Sequence, residues 1–151
     1  MKIITNTSKL KLLEILNRIE LFDALEASQR NLLADIPDLI VFIEAKSTFI
    51  KAGELDTTFY ILLNGTATVL DNKLRITDVS AGDFIGEVGF ICNEERSATV
   101  TAKTDILSMR ISQEIFISLP MAIRERIKDK IIKGLTKRIK SQNQLLISLF
   151  S

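Results

Sequence analysis

The sequence predicts an α+β fold: an antiparallel β-barrel of the jelly-roll (double-stranded β-helix) type, flanked by N-terminal helices and a long C-terminal helix. Three observations predict it. β-Branched and aromatic runs recur at short intervals between residues 39 and 111, punctuated by Gly, Asn and Asp. Apolar residues at helical spacing precede that region. After Ser112 the helical period returns and holds to residue 149.

Residues 8–20, SKLKLLEILNRIE, place Leu12, Leu13, Leu16 and Ile19 on one helical face, with Ser8 as candidate N-cap. A second short helix is expected over about 28–36, stopped by Pro37, which cannot continue it. Strands are expected near 39–44, 47–51, 58–64, 66–71, 73–79, 97–103 and 105–111, with Asp71-Asn72 turning a hairpin. Many short strands with turn signals favour a barrel or jelly roll over a parallel sheet. Residues 112–118 read as a short helix, and Pro120 suits the first turn of the long one.

That long helix carries two apolar stripes. Ile123, Ile127 and Ile131 form one, suited to lie on the barrel. Ile132, Leu135, Ile139, Gln142, Leu146 and Leu149 form a heptad seam with one polar position, suited to a second copy of the chain. The expected organisation is a single domain in three parts: a helical segment 1–37, a barrel 38–111 and hinge and lid or dimer helices 112–151.

Composition narrows the function. The 151 residues are 46% hydrophobic and 26% charged, ordinary for a globular domain with a sizeable core. The longest apolar runs, LIVFI at 39–43 and FYILL at 59–63, are too short to span a bilayer, so no membrane span is expected. MKIITNTSKLK lacks the apolar core of a signal peptide, and a single cysteine, Cys92, excludes an internal disulfide. A cytoplasmic location is the expectation. There is no histidine, which removes imidazole acid–base catalysis, the common nucleophile systems and the commonest metal ligand. Neither an enzyme nor a metal site is expected.

Charge is uneven. Residues 120–151 hold eight Lys/Arg against two Asp/Glu, a net +6 in a chain whose total is +1. Such a helix suits an acidic partner, an acidic membrane, nucleic acid or simply water. Nucleic acid is the weakest of these, since no recognition-helix partner or interleaved aromatic accompanies the lysines.

The segment AGDFIGEVGFICNEERSATV, residues 81–100, is the one stretch whose charges a core does not need. Gly86 and Gly89 let a ligand approach the backbone at the start of a short helix, whose first amides lack intrahelical partners. Nine residues after Glu87, Arg96 can fold back on the same turn and grip a phosphate with two parallel hydrogen bonds. Glu87 is placed to accept from sugar hydroxyls. The residues alone leave a second reading open, in which Glu87 and Arg96 form a structural ion pair.

GEVGF followed by RSATV resembles the phosphate-binding cassette of cyclic nucleotide-binding domains. The likeness extends to Gly53-Glu54, to Phe59-Tyr60-Ile61-Leu62-Leu63-Asn64-Gly65 and to Gly82-Asp83-Phe84, and with the flanking helices it covers about residues 15–145. What the resemblance implies is specific. Glu87 binds the ribose 2′-hydroxyl. Arg96 neutralises the cyclic phosphate, helped by the amides of Gly86, Val88 and Gly89, and Ser97 donates its hydroxyl to phosphate or base. The long helix closes over the base, with Gln142 and Asn143 as candidate base contacts across a dimer. Two departures stand out: Glu95 occupies a place where the family usually has proline, and Gly89 one where it often has alanine.

The function expected is therefore a stand-alone cyclic nucleotide receptor, cyclic AMP more than cyclic GMP, acting through a homodimer or an unidentified effector protein. The alternative is a ligand-free interaction module on the same fold. An enzyme on a cupin-like barrel is disfavoured by the missing histidines. Arg96→Ala is expected to cost several kcal/mol of ligand affinity and much less fold stability.

Overall fold

The computed structural model describes residues 2–3, 9–23, 25–71 and 74–150. Two helices, α1 (Lys9–Asn17) and α2 (Ala27–Asp35), lie either side of a 3-10 turn at Glu20–Phe22. The strands are β1 (Lys2–Ile3), β2 (Ile40–Ile43), β3 (Thr48–Ile50), β4 (Phe59–Asn64), β5 (Ala67–Asp71), β6 (Leu74–Val79), β7 (Phe84–Ile85), β8 (Thr99–Ala102) and β9 (Ile106–Ile111). Helix α3 (Glu87–Cys92) follows β7; α4 (Gln113–Ser118) and the 30-residue α5 (Met121–Phe150) follow β9. The candidate cap Ser8 and the hairpin turn at Asn72 fall outside the described residues.

The strands form two antiparallel sheets, one in the order β1-β2-β9-β4-β7 and one in the order β3-β8-β5-β6. The result is a mixed α+β fold in which the first sheet lies between the helices and the second sheet. β4 explains how. Its residues Phe59 to Leu63 are all buried, so its apolar run serves both faces of the sheet. Strand alternation sends Phe59, Ile61 and Leu63 into the helical core, and Tyr60 and Leu62 into the core shared with the second sheet. β9 divides the same way, Met109 and Ile111 to the helices and Ile106 to the second sheet. Each such side chain contributes about 1.5–3 kcal/mol by leaving water.

Helix α5 begins on that core. Ile123, Ile127 and Ile131 are buried in the helical cluster, as their spacing predicts, and Leu135 packs against it half-buried. The seam expected beyond them is bare: Ile132, Ile139, Leu146 and Leu149 are all more than half exposed. No helix is long and apolar enough to cross a membrane among the described residues.

The strand β7, of two residues, was not expected. It pairs Tyr60 with Ile85 and Ile61 with Phe84, which fixes the turn leading into α3 against the centre of the first sheet.

Candidate functional site

The stretch singled out by sequence forms one wall of a cavity of about 410 Å³. Gly86, Glu87, Val88, Gly89, Arg96 and Ser97 all line it. Its opposite wall is apolar, built by Ile50, Val69, Val79, Ile85 and Val100 from both sheets. That size and lining, an apolar bed with a few convergent polar groups, suit a small organic ligand.

Gly86 makes the geometry possible. It caps α3 in the left-handed region, at φ 83°, and a Cβ on it would collide with Nη1 of Arg96. Glycine is required there twice over, for the turn and for the close approach of the guanidinium.

Arg96 does fold back on the cassette, and it is 6% exposed. Its Nη1 donates to the carbonyl of Gly86 at 3.0 Å, and its Nη2 donates to the carbonyl of Thr58 at 2.5 Å. Nη2 also lies 3.5 Å from Oδ2 of Asp56, while Nε is buried without a partner. The ion-pair partner of Arg96 is thus Asp56, and the Glu87–Arg96 pair left open by the sequence is not formed. Charge on Arg96 is compensated from the loop before β4 rather than from its own cassette.

That loop is held by main-chain bonds. The Gly53 amide donates to the Arg96 carbonyl at 2.8 Å, and the Arg96 amide donates to the Glu54 carbonyl at 2.9 Å. Here lies a physical reason for the Gly53-Glu54 motif: it clamps the backbone of the arginine. Asp56 is fixed in turn by Thr58, whose amide and hydroxyl donate to Oδ1 at 3.0 and 2.8 Å. Burial pushes the Asp56 pKa up, but the two Thr58 hydrogen bonds, then Arg96 and Arg110, outweigh it and hold the carboxyl below its ordinary value. Asp56 and Thr58 escaped the sequence reading. Nothing in a polar loop 40 positions before Arg96 distinguishes them from their neighbours.

Glu94 and Glu95 also line the cavity, and both are exposed. Their carboxylates give the mouth of the site a negative charge that opposes an anionic ligand. Cys92 is a free, exposed thiol at the end of α3.

Asn143 stands apart from this site. It is exposed on α5 and does not line the cavity; the side chain of Gln142 falls outside the described residues. The cavity wall contains no residue of α5 among those described. Among the described residues no cluster of three or more His, Cys, Asp or Glu could hold a metal ion.

The cassette is in contact with the helices that follow the sheets. Phe84, on the cavity wall, packs on Phe59 at 5.8 Å between ring centres, Phe59 on Phe90 at 4.7 Å, and Phe90 on Phe116 of α4 at 5.4 Å. Gln113 of α4 donates from Nε2 to the carbonyl of Phe90 at 3.2 Å. Lys130 of α5 donates to the carbonyl of Gly82, and its ammonium sits 4.6 Å from the centre of the Phe84 ring.

The profile described as a cyclic nucleotide-binding domain matches residues 40–122, and the chain belongs to that family. A cAMP-dependent protein kinase regulatory subunit of Schizosaccharomyces pombe is 33% identical over 91 residues, covering 60% of this chain and 22% of that subunit. A solved structure, PKAR CBD2 bound to Sp-2Cl-cAMPS, is similar in fold at TM-score 0.67 and 23% identity, covering 92% of this chain and 94% of that one. The catabolite activator protein of Thermus thermophilus matches at TM-score 0.69 and 16% identity, over 83% and 62% of the two chains. The chain spans a quarter or less of the length of the curated relatives it matches.

Proposed function

We propose that the chain is a non-enzymatic cyclic nucleotide receptor whose ligand occupies the cavity beside α3, cyclic AMP in preference to cyclic GMP. One observation carries the reading: Gly86, Glu87, Val88, Gly89, Arg96 and Ser97 all line a single cavity of about 410 Å³. The cyclic phosphate takes over Nη1 and Nη2 of Arg96 from the carbonyls of Gly86 and Thr58. The exchange replaces neutral acceptors by an anion, and charge-assisted hydrogen bonds are roughly twice as strong. Glu87 accepts from the ribose 2′-hydroxyl, Ser97 donates to phosphate or base, and the apolar wall takes the rest of the nucleoside.

Movement of α3 toward the ligand is passed to α4 through Phe90 and Phe116 and then to α5. The signal is the difference in ligand affinity between the two positions of α5. Gln142 and Asn143 enter as base contacts when α5 closes, their amides matching an adenine edge. A homodimer forms along Ile132, Leu135, Ile139, Leu146 and Leu149, and an effector protein reads the change in the cytoplasm. The two sheets are the two halves of a jelly roll.

A second reading is favoured by the burial of Arg96 itself. With Asp56 and two carbonyls as partners, it already completes a structural network, and a ligand-free interaction module would need nothing more. Calorimetric titration with cyclic AMP and cyclic GMP separates the two. The receptor reading expects saturable heat with one site per chain, and the module reading expects none.

A further inference from the structure

The far half of α5 presents apolar and basic side chains that neither the cavity nor the dimer seam fully covers. Ile132, Ile139, Leu145, Leu146, Ile147 and Leu149 are 52–71% exposed. From Lys130 onward the helix carries five Lys/Arg and no Asp or Glu. Lys133, Lys137 and Lys140 recur at helical spacing, and Ile147 continues their line two turns further on. The three lysines are exposed, and no ion pair to any of them occurs among the described residues.

We infer that residues 132–149 dock on an anionic lipid surface. Charge selects the partner's sign: residues 132–149 carry four Lys/Arg and no carboxylate, which fits an anionic face. The distribution of apolar side chains selects its kind. Self-pairing along the heptad seam covers Ile132, Ile139, Leu146 and Leu149 but leaves Ile147 in water on the lysine side. At about 100° per residue, Ile147 and Leu149 point about 160° apart around the helix, and they are 67% and 71% exposed. A self-paired seam leaves Ile147 exposed beside the lysines, whereas a fluid lipid surface adapts to apolar side chains that border a basic face.

The arrangement agrees. Lys133, Lys137 and Lys140 lie to one side of the helix, with Ile132, Ile139 and Leu146 on the side next to it, the division an in-plane helix needs. Interfacial helices bury their apolar side chains about 5–10 Å into the boundary between headgroups and acyl chains. The apolar side then meets the acyl boundary while Lys133, Lys137 and Lys140 remain among the lipid phosphates. The helix rests on or dips into the surface without crossing it, in keeping with its many polar residues.

The test is co-sedimentation of the full chain, without nucleotide, with vesicles of neutral phosphatidylcholine or of phosphatidylcholine containing 30% phosphatidylglycerol. Partitioning onto the anionic vesicles is expected to exceed that onto neutral ones by about tenfold or more, and to fall steeply between 0.05 and 0.5 M salt. Lys133→Gln, Lys137→Gln and Lys140→Gln are each expected to weaken it roughly fivefold. Ile147→Asn, off the seam, should weaken lipid partitioning while leaving melting temperature and oligomeric state unchanged. Equal partitioning onto both vesicle types, or none onto either, overturns the inference. So does undiminished binding by the triple glutamine variant, or capture by soluble polyglutamate and not by vesicles, which would make the partner an acidic protein.

Discussion

The two halves of α5 share one helical period and meet opposite surroundings. Ile123, Ile127 and Ile131 are buried to 4% exposure or less, whereas Ile132 and Ile139 are 59% and 58% exposed. Isoleucine at helical spacing says which side chains lie together and nothing of what they lie against. The first half is explained by the fold, because the first sheet and the N-terminal helices supply its partner. Beyond Leu135 the second half has no partner within the described residues. The cations divide likewise. Arg96 is enclosed and held by an aspartate and two carbonyls, while Lys137 and Lys140 stand in water.

Truncation breaks the comparison most sharply. Ile127→Ala is expected to destabilise the chain by about 2–5 kcal/mol through lost burial and a cavity, read by denaturant unfolding. The same change at Ile139 should stay within about 0.5 kcal/mol for the monomer. Equal losses at both sites would mean that the far half is covered after all.

Next in size is Arg96. With three partners and a side chain only 4% exposed, its removal takes a donor from the Gly86 and Thr58 carbonyls and the ion pair from Asp56. Arg96→Ala is therefore expected to cost about 1–3 kcal/mol of stability, more than the sequence alone suggested, as well as several kcal/mol of ligand affinity. Arg96→Lys keeps the charge but not the forked donor, and should lose affinity with a smaller loss of stability. Titration and thermal melting of both variants check this.

Asp56 gives a pH dependence of known sign. Its carboxyl is held below its ordinary value in the folded chain, so the stability it contributes is present above the unfolded-state pKa. That contribution is lost as pH falls through the lower folded value. Asp56→Asn should therefore flatten the acid limb of the stability curve, and an unchanged limb would remove Asp56 from the account. The smallest expected effect lies at the cavity mouth. Glu95→Gln should tighten ligand binding by up to about 1 kcal/mol, a gain that shrinks as salt rises, because Glu95 is exposed.

Local chemistry made much of this legible. FYILL reads as a buried strand because its residues are apolar on both faces, and β4 is buried on both. The cassette was legible because Gly86, Glu87 and Arg96 are residue types a core does not need at that spacing. What escaped was held by distance or brevity. β7 has two residues, too few for any period to register. Asp56 reaches Arg96 across 40 positions of chain, through main-chain bonds at Gly53 and Glu54 that no side-chain pattern records. The choice of Asp56 over Glu87 as partner follows from that pairing, which tertiary structure alone creates.

The most direct measurement is calorimetric titration of the wild-type chain and of Arg96→Lys with cyclic AMP and cyclic GMP. The account predicts saturable binding to the wild type at one site per chain, cyclic AMP the tighter, and marked weakening in a variant that remains folded. No heat from either nucleotide at millimolar concentration, with a wild-type chain that melts cooperatively, would contradict it and leave Arg96 as a structural residue alone.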